Sequence, residues 1–252
     1  MGRPFIVAAN WKMHKSPREA VEFLKDIRPR LAELPAMREV IFFVPAVDLW
    51  VTQEALQRSN LKFGGQNCFY EMKGAFTGEN SPAVLAEIGA TYCLVGHSER
   101  RTLFHETDED TARKVKALHA VGITPMLCVG ETLEEREKGI TSDVIVRQLR
   151  EGFKDRDSSR PVTVAYEPVW AIGTGKVATP EQAGEAHAVL RKALAEIGGD
   201  EFAAKTPILY GGSVKPENAE AIARQEEVDG FLVGGASLEV STFLPLCLVS
   251  VS

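Results

Sequence analysis

Glu167 is the residue of this chain best placed for acid–base chemistry. It follows the apolar run from Val162 to Tyr166, which is typical of a buried strand, and it precedes Pro168. A carboxylate at a strand end, beside a glycine-containing loop, loses water when such a loop closes, and desolvation makes it a stronger base. An ion-paired glutamate next to an ordinary turn is the alternative interpretation of the same residues.

His97 lies in a second polar cluster, which runs from Gly96 to Arg101 directly after the apolar residues 92–95. A neutral imidazole at a helix N-terminus can donate a hydrogen bond to a carbonyl, because the helix dipole opposes formation of the imidazolium. A histidine that only caps its own loop is the alternative. The remaining histidines are expected in loops or on helix surfaces: His14, His105, His119 and His187.

Asn10 and Lys12 end the first apolar run, which spans Phe5 to Ala9. The two-residue period of a strand lets their side chains share one orientation. Taken alone, this pair is weak evidence of a site, because most lysines lie in solvent.

Two glycine turns end two consecutive apolar runs near the C-terminus. They are Tyr210 to Val214 and Val233 to Ser237. Glycines let the backbone approach a ligand closely, and exposed backbone N–H groups bind phosphate. Turns that merely reverse the chain are the alternative, but the loops after the last two strands of a parallel barrel are a frequent phosphate site.

Other motifs fail on their context. The segment Gly173 to Ala178 matches a dinucleotide-binding fingerprint, but it does not open a helix directly after a strand. His97 and Glu99 have the spacing of a zinc deaminase motif, yet no Pro-Cys-x-x-Cys follows them. No cluster of ligating residues stands elsewhere. We therefore expect neither a metal ion nor a cofactor.

The residues named so far need a scaffold that brings distant strand ends together. Short apolar runs recur, most of them followed by a helix-period pattern, such as those opened by Ser16-Pro17 and Thr179-Pro180, which is typical of β-α units around a parallel sheet. Eight such strands close a barrel whose chemistry lies at their carboxyl ends. We predict an α/β fold, a single (β/α)8 barrel domain over residues 1–252. The predicted strands are 5–9, 40–44, 61–64, 92–95, 124–129, 162–166, 207–210 and 230–233.

Composition excludes several functional classes. The chain has 44% hydrophobic and 25% charged residues, a balance that favours a globular core over disorder. Its net charge is −6, without a basic stripe, which disfavours nucleic acid as a partner. No apolar run is long enough to span a membrane and no secretory signal is evident. The four cysteines form no Cys-x-x-Cys pair, so we expect reduced thiols in the cytoplasm.

Five motifs, taken in order, closely resemble those of the triosephosphate isomerase family, and the resemblance covers essentially the whole chain. They are Asn10-x-Lys12, Gly96 to Arg101, Ala165 to Lys176, Tyr210 to Val214 and Gly234 to Ser237. The resemblance implies interconversion of dihydroxyacetone phosphate and D-glyceraldehyde 3-phosphate in glycolysis and gluconeogenesis.

The resemblance also implies a role for each catalytic residue. Glu167 moves a proton between adjacent carbons, while neutral His97 polarises the carbonyl oxygen and shuttles protons between oxygens. Lys12 offsets the charge of the enediolate. Asn10 hydrogen-bonds a substrate oxygen, and Glu99 orients the ionic network around Lys12.

The resemblance further implies how phosphate is held. Backbone N–H groups of Gly173, Ser213, Gly234 and Gly235 bind it. A lid from Pro168 to Lys176 closes over it, and Tyr210 latches the closed lid.

A homodimer is implied as well. In this family the loop corresponding to Gly65 to Glu79 enters the neighbouring subunit, and Thr77 is the residue expected to reach the partner's active site. The sequence departs from the family at Gly65, where alanine is usual, at Cys68-Phe69, and in the tail from Leu246 to Ser252.

Two alternative functions stay open at this point. The first is another phosphate-binding barrel enzyme with a larger substrate, such as an amino-acid biosynthetic isomerase. The second is a barrel without catalysis that serves as a scaffold or a phosphate sensor.

Overall fold

Eight parallel strands form a closed barrel in the computed structural model, which describes residues 2–35, 37–172 and 177–250. Each strand pairs with the next, and β1 pairs with β8 to close the ring. The predicted (β/α)8 fold is confirmed. The strands are β1 Phe5–Asn10, β2 Arg38–Val44, β3 Lys62–Gly65, β4 Tyr92–Val95, β5 Thr124–Val129, β6 Thr163–Tyr166, β7 Ile208–Tyr210 and β8 Gly230–Val233.

The strands are buried on both faces because helices cover the outside of the barrel. Alternate residues fill its interior, as the two-residue period of a strand requires. The interior cluster comprises Ile6, Ala8, Ile41, Phe43, Tyr92, Leu94, Met126, Cys128, Ala165, Leu209 and Leu232. A larger apolar cluster lies between the strands and the helices.

Capping residues define where several helices begin. Ser16, Thr107, Thr132 and Thr179 each accept a backbone N–H and form a capping box with the residue three positions on. The helices are α1 Pro17–Arg30, α2 Leu49–Leu56, α3 Pro82–Ile88, α4 Ser98–Leu103, α5 Asp108–Ala120, α6 Leu133–Glu137, α7 Thr141–Phe153, α8 Pro180–Gly198, α9 Asp200–Lys205, α10 Pro216–Ala223 and α11 Val240–Cys247. Within the described residues, none of these helices is long and apolar enough to cross a membrane.

The predicted strand ends agree with the structure to within two residues. Pro207 is an instructive difference, since it was predicted inside a strand and β7 begins at Ile208. Proline has no N–H to donate to the ladder, although its carbonyl accepts from the Val164 N–H.

The expected surface positions of two histidines were wrong. His119 and His187 are buried, because each lies on the helix face that packs inward. Their ring nitrogens contact backbone carbonyls, of Pro161 for His119 and of Glu227 for His187. Burial with such partners suits a neutral imidazole, and it lowers the pKa of His187 to about 4.

Candidate active site

A cavity of about 610 Å³ opens at the carboxyl ends of the strands. We call it the front cavity. Its lining includes seven of the residues predicted for the site: Asn10, Lys12, His97, Glu167, Ser213, Gly234 and Gly235. Glu99 lines an adjacent slot of about 430 Å³. Gly173 and the rest of 173–176 lie outside the described residues.

Lys12 has a left-handed backbone, with φ 52°, although it is not a glycine. Such a conformation is strained and needs support from its surroundings. The Asn10 side chain gives that support, because its Oδ1 accepts the Lys12 backbone N–H over 3.0 Å. Gln66 donates to the Lys12 carbonyl over 2.8 Å. The ammonium group lies 2.5 Å from Oε1 of Glu99, which fixes the cation at the edge of the front cavity.

His97 occupies the N-cap of α4, and its ring is buried. The Glu99 backbone N–H donates to Nδ1 over 3.3 Å, so a neutral ring carries its proton on Nε2. Nε2 lies 2.9 Å from Oε1 of Glu167. The ring therefore directs an N–H toward the cavity and its carboxylate.

Glu167 is the residue directly after β6, and its carboxylate is almost wholly buried. Ser98 donates its backbone N–H to Oε2 over 2.9 Å and its hydroxyl to Oε1 over 3.3 Å. With His97, three donors stabilise this carboxylate. Such a set of donors at a helix N-terminus favours the ionised form.

The pKa values of His97 and Glu167 follow from burial and from their contact. Burial lowers the pKa of His97 and is the largest single cause, but the charge and hydrogen bond of Glu167, together with the charge of Glu99, outweigh it and raise the pKa overall. Burial alone raises the pKa of Glu167, but His97, Ser98 and Lys12 together lower it below its ordinary value. The Glu99 N–H opposes imidazolium formation, because a protonated Nδ1 would face another donor. We therefore assign a neutral ring that donates from Nε2.

Glycines at the ends of β7 and β8 leave room for the side chains of Glu167, Tyr210 and Lys12. A Cβ on Gly211 would lie 3.0 Å from Cγ of Glu167, and one on Gly212 would lie 2.2 Å from the Tyr210 hydroxyl oxygen. A Cβ on Gly234 would stand 3.4 Å from Cε of Lys12. Gly235 has nothing within 4 Å of the corresponding point, so its backbone faces open space.

The start of the predicted lid is fixed on Glu131, a fully buried residue that follows β5. The Trp170 indole N–H donates to Oε1 of Glu131 over 2.8 Å, and the Tyr166 hydroxyl lies 3.1 Å from Oε2. Arg136 lies 3.2 Å from Oε1 and 4.4 Å above the Trp170 ring. These contacts hold the first lid residues against the barrel.

Sequence reasoning assigned no role to Ser98 or Glu131. Ser98 stood inside the predicted motif, but its contact with Glu167 depends on how two separate strand ends meet. Glu131 could have been found, because it is an acidic residue just beyond the carboxyl end of β5, where barrels carry their functional groups. Within the described ranges, no three His, Cys, Asp or Glu side chains are grouped so that they could hold a metal ion.

Comparison with known proteins extends these observations to the whole chain. A sequence profile described as triosephosphate isomerase matches residues 5–250. The triosephosphate isomerase of Bdellovibrio bacteriovorus is 50% identical over 97% of this chain and 99% of its own length. That of Carboxydothermus hydrogenoformans is 48% identical over 96% and 97%. That of Lactobacillus delbrueckii subsp. bulgaricus is 46% identical over 98% of both chains. With its barrel and its carboxylate, imidazole and ammonium groups at one cavity, the chain belongs to the triosephosphate isomerase family.

Proposed function

We propose that Glu167 is the base with which this chain moves a proton between adjacent carbons of a triose phosphate. The chain interconverts dihydroxyacetone phosphate and D-glyceraldehyde 3-phosphate through an enediolate, as a member of its family. One observation carries the assignment of the base: the Glu167 carboxylate, the His97 imidazole and the Lys12 ammonium line one cavity. These three groups are a base, a neutral donor and a cation, which are what enediolate chemistry needs.

Glu167 must leave its present partners before it can act. Its carboxylate accepts from Ser98 and lies against His97, and these donors weaken it as a base. Movement toward a substrate carbon releases those donors but leaves the carboxylate buried. Burial then meets less opposition and raises the pKa of the carboxylate, so the base becomes stronger where the proton is taken.

The same movement suits His97 to its role. Once Glu167 moves away, the main cause that raises the pKa of His97 is weakened. Burial and the Glu99 N–H then both favour the neutral ring, whose Nε2–H donates to the substrate carbonyl oxygen. The ring carries protons between the two substrate oxygens by giving up this proton and taking it back.

Lys12 and Asn10 stabilise the developing negative charge. The ammonium group of Lys12 is a cation that lines the front cavity together with His97, and Glu99 holds it in place over 2.5 Å. Asn10 has its Oδ1 engaged by the Lys12 backbone, so its amide NH₂ group is the part that donates to a substrate oxygen.

Phosphate is held by the glycine turns on the far side of the front cavity. Ser213, Gly234 and Gly235 line that side, and the open space at Gly235 lets an anion approach the backbone closely. Gly173, with the lid 168–176, completes this site, and the Tyr210 hydroxyl latches the lid. Both remain predictions, because 173–176 lie outside the described residues.

We propose a homodimer built through the loop 65–79. Within this loop Phe69 stacks on Tyr70 at 4.0 Å and contacts Phe76 at 4.5 Å, so the loop has its own rigid aromatic centre. The slot of about 430 Å³ beside Lys12 has room for a few residues of a partner's loop, and we expect these to be the residues around Thr77. Exposed apolar residues surround it, including Met13 and Phe104, which are 95% and 64% exposed.

A charged substitution at the slot tests the proposed dimer. Met13→Glu is expected to yield monomers in analytical ultracentrifugation, because it puts a carboxylate where an apolar contact is proposed. Leu248→Glu is the matched control, since this exposed leucine lies at the other end of the barrel, next to the carbonyls that Arg38 contacts. A monomeric wild-type protein, or a Met13→Glu variant that stays dimeric, contradicts the proposal.

Two further proposals concern the setting of the enzyme. Residues 1–252 act as one catalytic domain, which the continuous ring of strands and helices supports. The enzyme works in the cytoplasm, where reduced thiols persist, which the four free and buried cysteines support.

A coupled assay with D-glyceraldehyde 3-phosphate, without added metal or nucleotide, tests the proposed base. We expect rapid turnover by the wild type and a loss of about 10³-fold or more in Glu167→Ala, with the fold intact by circular dichroism. Near-full activity of the variant would remove Glu167 as the base. A folded wild type without turnover would point to a larger sugar phosphate, to be sought by a substrate screen, or to a scaffold.

A further inference from the structure

The loop between β1 and α1, residues 11–16, has two left-handed residues that are not glycine. They are Lys12, with φ 52°, and Lys15, with φ 70°. Glycine adopts this backbone freely, whereas a residue with a side chain is strained in it and persists there only with support. We call residues 11–16 the first loop. Asn10 and Gln66 support Lys12, and the contacts of the Lys15 side chain explain the second position.

The Lys15 ammonium group has three contacts. Nζ donates to the Leu238 carbonyl oxygen over 2.9 Å. It also lies 5.3 Å from the centre of the Trp11 ring and 4.6 Å from the centre of the Phe23 ring. The faces of aromatic rings attract a cation, so the rings and the carbonyl together hold the ammonium group in one place.

Leu238 belongs to the loop between β8 and α11, residues 234–239, which we call the last loop. The first loop is joined to it at two consecutive carbonyls. The Trp11 indole N–H donates to the Ser237 carbonyl over 3.2 Å, and the Lys15 ammonium group binds the next one. These bonds add to the pairing of β1 with β8 and continue it beyond the ends of both strands.

The last loop carries these two bonds to the glycines proposed to hold phosphate. The Ser237 N–H donates to the Gly234 carbonyl over 2.8 Å, and the Leu238 N–H donates to the Gly235 carbonyl over 3.1 Å. Lys12 lies on the other side of the same junction, because a Cβ on Gly234 would stand 3.4 Å from its Cε. The junction of the two loops therefore fixes Lys12 relative to the phosphate turn.

We propose that Lys15 is a positioning residue that holds Lys12 and the turn at Gly234 and Gly235 at the separation the substrate requires. It acts through the Leu238 carbonyl. Lys12 faces the developing negative charge and the turn binds phosphate, so one substrate molecule must reach both groups at once. This inference rests on the proposed roles of Lys12 and of the phosphate turn.

Glu239 offers a different explanation, which the experiment must separate. Its residue lines the front cavity beside the phosphate turn. Burial lowers the pKa of Lys15, and the charge of Glu239 opposes this, so the two groups interact electrostatically. A lysine that only neutralised Glu239 would aid phosphate binding by its charge. The bond from Lys15 to the Leu238 carbonyl favours position over charge.

Steady-state kinetics of Lys15→Met tests the proposal, because methionine keeps an apolar side chain but cannot bind the Leu238 carbonyl. We expect KM for D-glyceraldehyde 3-phosphate to rise about fivefold or more. The inhibition constant of inorganic phosphate is expected to stay within about twofold, because phosphate needs only the turn and not its separation from Lys12. Lys15→Arg keeps a donor and a cation, and its KM is expected to stay within about twofold of wild type.

Two further variants separate position from charge and from backbone strain. Lys15→Met/Glu239→Gln is expected to keep the raised KM, since removal of the carboxylate does not restore the bond to Leu238. Lys15→Gly also loses the ammonium group but relieves the left-handed backbone, so it is expected to show the same rise in KM even if Lys15→Met fails to fold. Arg58→Gly is the matched control. Arg58 is exposed, has φ 60° and lies between α2 and β3 at the other end of the barrel, and its KM is expected to be unchanged.

Four results overturn the proposal. They are a wild-type KM in Lys15→Met or Lys15→Gly, an inhibition constant of phosphate that rises as much as KM, a KM restored by Glu239→Gln, and a rise in KM that occurs only with altered sedimentation in analytical ultracentrifugation. Failure of the proposed function is seen separately, as a wild type without turnover or a Lys12→Met variant with wild-type kcat/KM. An unchanged KM in Lys15 variants, with Lys12→Met impaired, removes this inference alone.

Discussion

Ser98 holds Glu167 more closely by its backbone N–H than by its side-chain hydroxyl. The N–H of Ser98 lies 2.9 Å from Oε2, whereas its hydroxyl is 3.3 Å from Oε1. Because the donor is a peptide group at the first residue of α4, its position is set by the helix and not by a rotamer. The carboxylate thus has a fixed resting position beside His97, and the proposed mechanism requires its release from there.

The resting position predicts where activity fails in acid. His97 and Ser98 lower the pKa of Glu167, so the carboxylate stays ionised below the pH at which an ordinary glutamate takes up a proton. In His97→Gln the imidazole contact is lost, the pKa rises, and the residual activity disappears at a higher pH. We expect the acid limb of kcat/KM to move to higher pH. A limb that stays in place shows that His97 does not stabilise the carboxylate in the free enzyme.

Substitutions of Lys12 and Glu99 are expected to lower kcat/KM by unequal amounts, although the two residues form one ion pair. Lys12→Met removes the cation that we propose faces the substrate, and kcat/KM is expected to fall by about 10³-fold. Glu99→Gln leaves the cation and a hydrogen-bond acceptor in place, so a loss of about tenfold or less is expected. Steady-state kinetics on both variants measures the difference. Equal losses would mean that the carboxylate of Glu99 itself takes part in the chemistry.

Two glycine substitutions separate the base from the phosphate site. In Gly211→Ala the new methyl group crowds Cγ of Glu167, so kcat is expected to fall about tenfold or more while KM changes little. In Gly235→Ala the methyl group meets no protein atom but enters the space assigned to phosphate, so KM is expected to rise about tenfold. The inhibition constant of inorganic phosphate is the control, and it is expected to change in the same direction as KM in each variant. The opposite pattern would exchange the two assignments.

Because His187 is buried, the protein is expected to lose stability in mild acid. Burial lowers its pKa from 6.5 to about 4 in the folded chain. Between these values the unfolded chain binds a proton that the folded chain does not, so the free energy of unfolding falls as pH drops from 6.5 toward 4. The contribution is about 3 kcal/mol over this window.

Urea unfolding at several pH values measures that contribution. His187→Gln is expected to flatten the pH dependence between 4 and 6.5, whatever its effect on stability at neutral pH. His119 also has a lowered pKa and keeps part of the slope. An unchanged slope in His187→Gln would mean that His187 is already charged in the folded protein.

The strands could be predicted from the sequence because each is a short apolar run that is buried on both faces. Helix starts at Ser16 and Thr179 were equally readable, since each residue caps a helix that begins with proline. The site residues share the carboxyl ends of the strands, so the barrel alone brings them to one cavity. His187 was misplaced although a signal existed, for it stands on the apolar stripe of α8 between Ala183 and Leu190.

The contact between Ser98 and Glu167 could not be predicted in this way. These residues follow β4 and β6, which are separated by β5, so they meet only across the end of that strand. Gly130 stands at the crossing, and a Cβ there would lie 1.7 Å from the Glu167 carbonyl oxygen. This contact depends on how far the ends of β4, β5 and β6 extend along the barrel axis relative to one another. No periodicity in the sequence predicts that.

The pairing of β1 with β8 has a consequence for the newly made chain on the ribosome. Ile6 pairs with Gly230, so the first strand keeps one edge unpaired until β8 has emerged. Lys12 and Gly234 follow these same two strands, and the substrate cavity is complete only when they meet. A nascent chain that still lacks β8 therefore has an incomplete cavity and an exposed strand edge that invites aggregation.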